Sequence, residues 1–265
     1  MGADLYDVRG TSSGPVAIQS ETYDVRESVI RLAAMGDEGV EYVERARATT
    51  ERGEIVLRER RSSTDTEAAP VLELRVNGVF VMDTLETATE EELARIALAQ
   101  VEEPRAVVVG GLGLGYTAHE VLTDRRVERL VVVEIEEPLV GWMRDGTVPH
   151  GPSYLADERL TVVVADIRQA MTEATPGSYD LALLDVDNGP GYLVHEQNAA
   201  VYHPEFLSSV AQALKPGGVA AVWSAAESSD LYDALLTVFG AATPVPLDVR
   251  LQGRAEQYWL YLARR

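Results

Sequence analysis

Three of the chain's short apolar runs end in acids, and a fourth ends in a glycine-rich turn. Residues 107–109, all valine, lead into Gly110-Gly111-Leu112-Gly113-Leu114-Gly115. Residues 130–133 lead into Glu134, residues 160–164 into Ala165-Asp166, and residues 181–184 into Asp185-Val186-Asp187-Asn188-Gly189. Gly111, Gly113 and Gly115 let the chain turn sharply and let a ligand approach bare backbone, while the helix that follows offers free N–H groups and a positive dipole end. Glu134 stands nineteen residues beyond the last of these glycines, where a carboxylate can accept hydrogen bonds from both hydroxyls of a ribose. Turn and acid together predict an adenosine-containing ligand. Asp185 and Asp187 are candidates for a general base, singly or sharing one proton, because two close carboxylates push one pKa towards neutrality. Plainer roles stand beside these: Asp166 as a helix N-cap, Asp185 as a group that only positions ligand, and Asp187-Asn188-Gly189 as a turn.

Such acids serve one site only if the fold brings them to one edge. The apolar runs, with a further one at residues 219–223, lack the alternation of half-exposed strands and so predict strands covered on both faces. Helix-length segments separate most of them, which specifies an α/β, doubly wound, mostly parallel sheet with its ligand crevice at the carboxyl ends of the strands. The aromatic stretch 256–262, preceded by residues 245–251 and Gln252-Gly253, predicts an antiparallel hairpin at the sheet edge. Residues 1–18 have no period and read as a loose arm. From Ser20, apolar residues recur at three- and four-residue steps through Val25, Val29, Leu32, Val40 and Val43, predicting two helices broken at Gly36 and Gly39 and closed by Gly53. Residues 55–57, 71–76 and 79–82 predict a small β-meander, its last turn made by Asn77-Gly78, and a helix follows over 90–101. The expected organisation is an N-terminal arm and helices over 1–53, a meander over 54–88 and a Rossmann-like domain over 89–265.

Composition narrows the partners. The chain has 265 residues, 23 Lys+Arg against 43 Asp+Glu, and a formal charge of −20. A surface this acidic repels phosphate backbones, so nucleic acid is not expected as a partner. With no cysteine there is no disulfide, thiolate metal site or cysteine nucleophile. The histidines lie at no metal-ligand spacing, and no metal is assigned. No apolar run approaches the length of a membrane span and no signal-peptide pattern opens the chain, so a cytoplasmic protein without membrane contact is expected.

The glycine turn, the acid in Val133-Glu134-Ile135, Ala165-Asp166, Asp185-x-Asp187 and Leu214-Lys215-Pro216-Gly217-Gly218 together resemble class I S-adenosylmethionine-dependent transferases. The meander before them and the stretch 179–187 are similar to the spermidine synthase-like branch, over roughly residues 54–240. The resemblance implies a seven-stranded sheet. It implies a cofactor, S-adenosylmethionine or its decarboxylated form, bound by Gly111, Gly113, Gly115, Glu134, Ile135, Asp166, Ile167 and Asp185. Within that set the glycines would lie under the methionine part, Glu134 on the ribose, Asp166 on the adenine amino group, Ile167 against the ring and Asp185 beside the sulfonium. It also implies that residues 189–196 close over the acceptor, making Tyr192, His195 and Glu196 candidate contacts.

Departures from the family pattern set the expected activity. Polyamine synthases carry an aspartate in the glycine turn, matched here to Leu114, and a Tyr-His-Glu run on the next helix, matched here to Arg95-Ile96-Ala97. Their loop glutamine has no counterpart over 62–70. The carboxylates and tyrosine that hold a diamine are thus expected to be largely missing, with Trp142, Trp223 and Trp259 packing the core or hairpin. The expectation is methyl transfer from intact S-adenosylmethionine to a small-molecule or peptide acceptor. The alternatives are a polyamine-type aminopropyltransferase using the decarboxylated cofactor and a non-catalytic cofactor-binding module. A nicotinamide oxidoreductase is disfavoured, because a Tyr-x-x-x-Lys dyad has no lysine but Lys215 to draw on. The first 50 residues are expected to cap the pocket or build a homodimer.

Overall fold

The computed structural model describes residues 39–65, 67–251 and 254–265. The expected arm, the start of the helical region and the Gln252-Gly253 turn lie outside them. Of the helical expectation, the described part is a strand. Here β1 (Val40–Thr50), β2 (Gly53–Ser62), β3 (Val71–Val76) and β4 (Val79–Asp83) form an antiparallel sheet in sequential order. The error has a physical source. Val40 and Val43 stand three residues apart ahead of a β-bulge between Glu44 and Ala46, beyond which the half-buried positions alternate as 46, 48 and 50. That one step of three imitates a helical period inside a strand of period two. At the β3–β4 turn both Asn77 and Gly78 have positive φ, +51° and +77°, as a two-residue hairpin of this twist requires.

α1 (Ala88–Ala99) leads into the second sheet, of seven strands. In chain order these are β5 (Ala106–Gly110), β6 (Arg129–Glu134), β7 (Leu160–Val164), β8 (Tyr179–Leu184), β9 (Leu214–Ser224), β10 (Thr243–Leu251) and β11 (Arg254–Arg264). Across the sheet the order is β10-β11-β9-β8-β5-β6-β7. β5 to β9 are parallel, and the β10–β11 hairpin joins β9 antiparallel. The doubly wound Rossmann-like sheet with an antiparallel C-terminal hairpin is therefore present. β7 departs from the pattern of strands covered on both faces. It is the edge strand, and Val163 and Val164 are exposed.

Helices cover both faces. α1, α2 (Tyr116–Thr123) and α3 (Glu137–Asp145) pack with Val107 and Val109 in a core that continues into Ile55, Leu57 and Leu74 of the small sheet. α5 (Ile167–Glu173), α6 (Pro204–Ala213) and α7 (Ser229–Phe239) pack with Val108 and Ala182 on the other face, after the one-turn α4 (Gly151–Tyr154). Strand β5 thus sends alternate valines to opposite cores. At the amino edge of the sheet the single lysine, Lys215, pairs with buried Asp180 at 2.9 Å, far along the strand from the acids at the carboxyl edge.

The join between small sheet and α1 is made by Asp83. Its Oδ1 accepts the amides of Leu85 (2.9 Å) and Glu86 (3.0 Å), and its Oδ2 pairs with Arg60 at 3.4 Å. The group is only 2% exposed, so these partners replace water. Asp83→Ala should cost about 2–4 kcal/mol, the scale for losing a buried charge and the hydrogen bonds it accepts. Urea unfolding should show a lower midpoint with an unchanged m-value.

Candidate active site

The carboxyl ends of four strands are stitched into one rim. Gly111 N–H donates to Val133 O, Asp185 N–H to Gly110 O and Ala165 N–H to Glu134 O, each at 2.9–3.0 Å. Gly111 has φ +90°, and a Cβ there would collide with the Asp185 carbonyl. Gly113, at φ +50°, would set a Cβ against the flexible Met82 side chain. Glycine is thus required at Gly111 for shape as well as conformation, and favoured at Gly113 for conformation.

Glu134 is 7% exposed. Its Oε2 accepts Leu112 N–H and its Oε1 accepts Glu136 N–H, both at 2.8 Å. Burial pushes its carboxyl above the ordinary range, while these amides pull it back. Each oxygen keeps a second lone pair for a ligand hydroxyl. Asp166 caps α5, accepting Arg168 N–H at 2.8 Å, and pairs with the Arg168 guanidinium at 2.5 Å. Burial raises its pKa, but the Arg168 side chain and amide together outweigh that and hold it below the usual carboxylate range.

These residues line a crevice of about 140 Å³, with Gly111, Gly113, Glu134, Ile135, Asp166, Ile167, Asp185, Asp187 and His195 all on its wall. Val133, Leu139, Ala165, Val186 and Val201 add apolar wall, while Arg52, Glu136, Arg168 and Asn198 add polar groups. Gly115 is not on this wall. It is the N-cap of α2, at φ +91°, and closes against Met143 and Tyr154. Leu114 also turns away, fully buried in the core, so the crevice carries Gly113 where the sequence reading had weighed Leu114.

The crevice roof was not legible in the sequence. Arg52, in the β1–β2 turn, donates to Asn198 Oδ1 at 3.0 Å and pairs with Glu136 at 3.2 Å; Thr50 Oγ1 donates to Glu136 Oε2 at 3.1 Å. Asn198 lies on a 3-10 helix, Glu196–Tyr202. Assigning residues 40–50 to a helix hid this strap.

Asp185 and Asp187 differ in what they can do. Among the described residues Asp185 accepts one side-chain hydrogen bond, at Oδ2 from Thr117 Oγ1 at 2.6 Å, and burial raises its pKa. Asp187 has φ +65° and organises its own loop. It accepts the amides of Asn188 and Val194 at 2.7 Å and that of His195 at 3.4 Å, together with Asn198 Nδ2 at 2.6 Å. Its lone pairs are largely spent. Of the three closing-segment candidates, His195 faces the crevice. Burial, then the nearby Arg52, hold its pKa below the usual imidazole value. Tyr192, 64% exposed, lines a second cavity. Glu196 is exposed and lines neither.

That second cavity, about 560 Å³, shares Val81 with the crevice. Glu86 and Glu90 enter it from the start of α1, Asp248 and Glu256 from the C-terminal hairpin. Phe80, Trp223 and Tyr258 supply aromatic walls, Trp223 edge-on to Tyr258 at 5.1 Å. No lysine or arginine among the described residues lines it. Trp223 is 7% exposed, and its Nε1–H has no hydrogen-bond partner among the described residues. The acids and aromatics sought at the family's own positions thus stand elsewhere in the chain. The stretch 95–97 faces elsewhere, with Arg95 exposed and paired to Glu91, Glu92 and Glu120, while carboxylates and aromatics reach the cavity from other positions. Among the described residues no cluster of His, Asp and Glu is arranged to hold a metal ion, and no helix is long and apolar enough to cross a membrane.

A Spermine/spermidine synthase domain model matches residues 86–234, more than half of the chain. The chain belongs to that family. A polyamine aminopropyltransferase 2 of Pseudomonas aeruginosa is 33% identical over 141 residues, covering 52% of this chain and 38% of that protein. Putrescine N-methyltransferase 3 of Nicotiana tabacum is 31% identical over 131 residues, covering 49% and 32%. The matches thus span about a third of the length of these curated relatives. A spermidine synthase solved with the transition-state analogue AdoDATO superposes with a TM-score of 0.70 at 16% identity, covering 83% of this chain and 73% of that one. The Thermotoga maritima spermidine synthase gives 0.66 at 16%, covering 83% and 71%. The fold is that of the family's class I methyltransferase-like branch.

Cutting the Asp187 contacts should free the loop without unfolding the sheet. In Asp187→Ala, amide hydrogen exchange over residues 188–198 should accelerate at least tenfold, the scale of one or two charge-assisted hydrogen bonds. Exchange in β5 and β8 should be unchanged.

Proposed function

We propose that the protein is an alkyltransferase of the aminopropyl type, moving a three-carbon amine from a decarboxylated adenosyl sulfonium to a di- or polyamine. The observation that carries this reading is the second cavity, with four carboxylates, aromatic walls and no cation among the described residues, which meets the Asp185 crevice at Val81. Ammonium groups are stabilised there by charge and by aromatic faces. A carboxylate would be buried without a partner at a cost of several kcal/mol. The methionine carboxylate of the intact cofactor meets that penalty if its chain points into this cavity. The decarboxylated chain, ending in an ammonium, does not.

The crevice residues fit the adenosyl group. Glu134 has lone pairs for the ribose, Ile135 and Ile167 flank a flat apolar slot, and Gly111 and Gly113 keep the backbone open. When bound, the sulfonium supplies an electrophilic carbon. Asp185, held by Thr117, orients the acceptor nitrogen towards it, and the acids and aromatics beyond fix the remaining ammonium groups. Positioning of this kind supplies the larger part of the acceleration in such displacements.

Methyl transfer to the same class of amine is the second reading. The uncharged glycine turn and the similarity to putrescine N-methyltransferases favour it.

Calorimetry with S-adenosylmethionine and its decarboxylated form, followed by product analysis with 1,4-diaminobutane, separates the two. Tighter binding of the decarboxylated form and an N-aminopropyl product are expected. An N-methyl product would move the assignment to the second reading, and indifference to both sulfonium compounds would end it. Glu134→Ala should weaken donor binding by about 1–3 kcal/mol, the range for hydrogen bonds to a charged group.

A further inference from the structure

We propose that Glu90 is the second acid of the acceptor site and receives the proton that the attacking amine must lose, a role that rests on the alkyl-transfer reading above. The sequence suggested that Asp185 shares this work with Asp187. Asp187 is instead consumed by its loop, whereas Glu90 lines the acceptor cavity from the first turn of α1, with its Oε2 held by Thr89 Oγ1 at 2.8 Å. The buried, unpartnered N–H of Trp223 on the same wall marks this cavity as one whose polar groups wait for a ligand.

An alkylamine has a pKa of about 10.4, so near neutral pH roughly one molecule in a thousand or fewer carries the free lone pair needed for attack. A base must therefore strip the ammonium inside the site. The groups around Glu90 suit it to that task. Burial, and then the carboxylates of Asp185 and Asp83, push its pKa up to about 7. The phenols of Tyr116 from α2 and Tyr258 from β11, neutral at this pH, face it as well, and none of the main groups acting on it, among the described residues, is a cation. A base near the working pH is the one that transfers protons best.

The step balances simply. An N–H bond of the acceptor ammonium breaks, an O–H bond forms on Glu90, and the freed lone pair makes the new C–N bond as the C–S bond gives its electrons to sulfur. The product leaves as a secondary ammonium, and Glu90 returns one proton to solvent per turnover.

The sign of the stability effect follows. The folded protein holds a proton on Glu90 that the unfolded chain releases between about pH 4.5 and 7. Stability from this group is therefore present at low pH and lost as pH rises through 7. The test measures kcat/KM against pH with 1,4-diaminobutane and decarboxylated donor for the unmodified protein, Glu90→Gln and Glu90→Asp. Thermal melting of each is followed at pH 5 and pH 8. The unmodified protein should lose activity about tenfold per pH unit below 7. Glu90→Gln should fall 10²- to 10³-fold at pH 7.5 and recover towards pH 10 as the amine deprotonates itself, with Glu90→Asp in between. Glu90→Gln should melt higher than the unmodified protein at pH 8 and alike at pH 5. An unchanged pH profile in Glu90→Gln, or a loss equal at every pH, overturns the assignment of the proton. Equal melting shifts at both pH values overturn it too. If the unmodified protein neither binds nor alkylates any amine, the alkyl-transfer reading itself falls and this role falls with it.

Discussion

One buried carboxylate holds the rim of the sheet in working shape. Glu134 sits where β6 ends, takes an amide from the glycine turn after β5 with one oxygen and an amide from the start of α3 with the other. Desolvating an acid this deeply is costly, and two backbone donors are what make it tolerable. The arrangement fixes the glycine turn against the neighbouring strand end, and that turn carries the Asp185 backbone on its other side through Gly110 and Gly111. The ligand crevice is thus built from main chain first, with side chains placed on it afterwards.

The division of labour among the acids follows from how many donors each already has. Asp166 is occupied by its cap and by Arg168, Asp187 by four donors of its loop, and Glu134 by two amides. Asp185 and Glu90 have the fewest partners of these acids, and their like charges repel each other. This is a pair whose protonation depends on what lies between them, a common condition at sites where protons move. One fold can carry several chemistries, and the walls of the second cavity, contributed by β4, β9, α1 and the C-terminal hairpin, are where the proposed acceptor preference would be set.

Much of this was legible in the sequence because it depended on local pattern. Unbroken valine runs gave the parallel strands, Asn77-Gly78 gave its hairpin, and the spacing from the glycine turn to Glu134 gave the crevice. What escaped depended on contacts between distant segments. The three-residue step from Val40 to Val43 in β1 disguised a strand as a helix and with it concealed Arg52. Glu90 looked like one more charge in an acidic first turn, a position where acids are common for dipole reasons alone. Asp248 and Glu256 lay on a hairpin whose pairing was foreseen, but nothing local said that its face turned towards α1. Leu114 and Gly115 were weighed as ligand neighbours because they stood in the right motif, yet their burial sends them into the core.

The Arg52 strap carries one more consequence. It spans the crevice from the small sheet to Glu136 and Asn198 and depends on a partly shielded ion pair, with side chains 19% and 10% exposed. Attraction of that kind weakens as mobile ions accumulate around it. A ligand held beneath the strap, as proposed above, should therefore escape faster in concentrated brine.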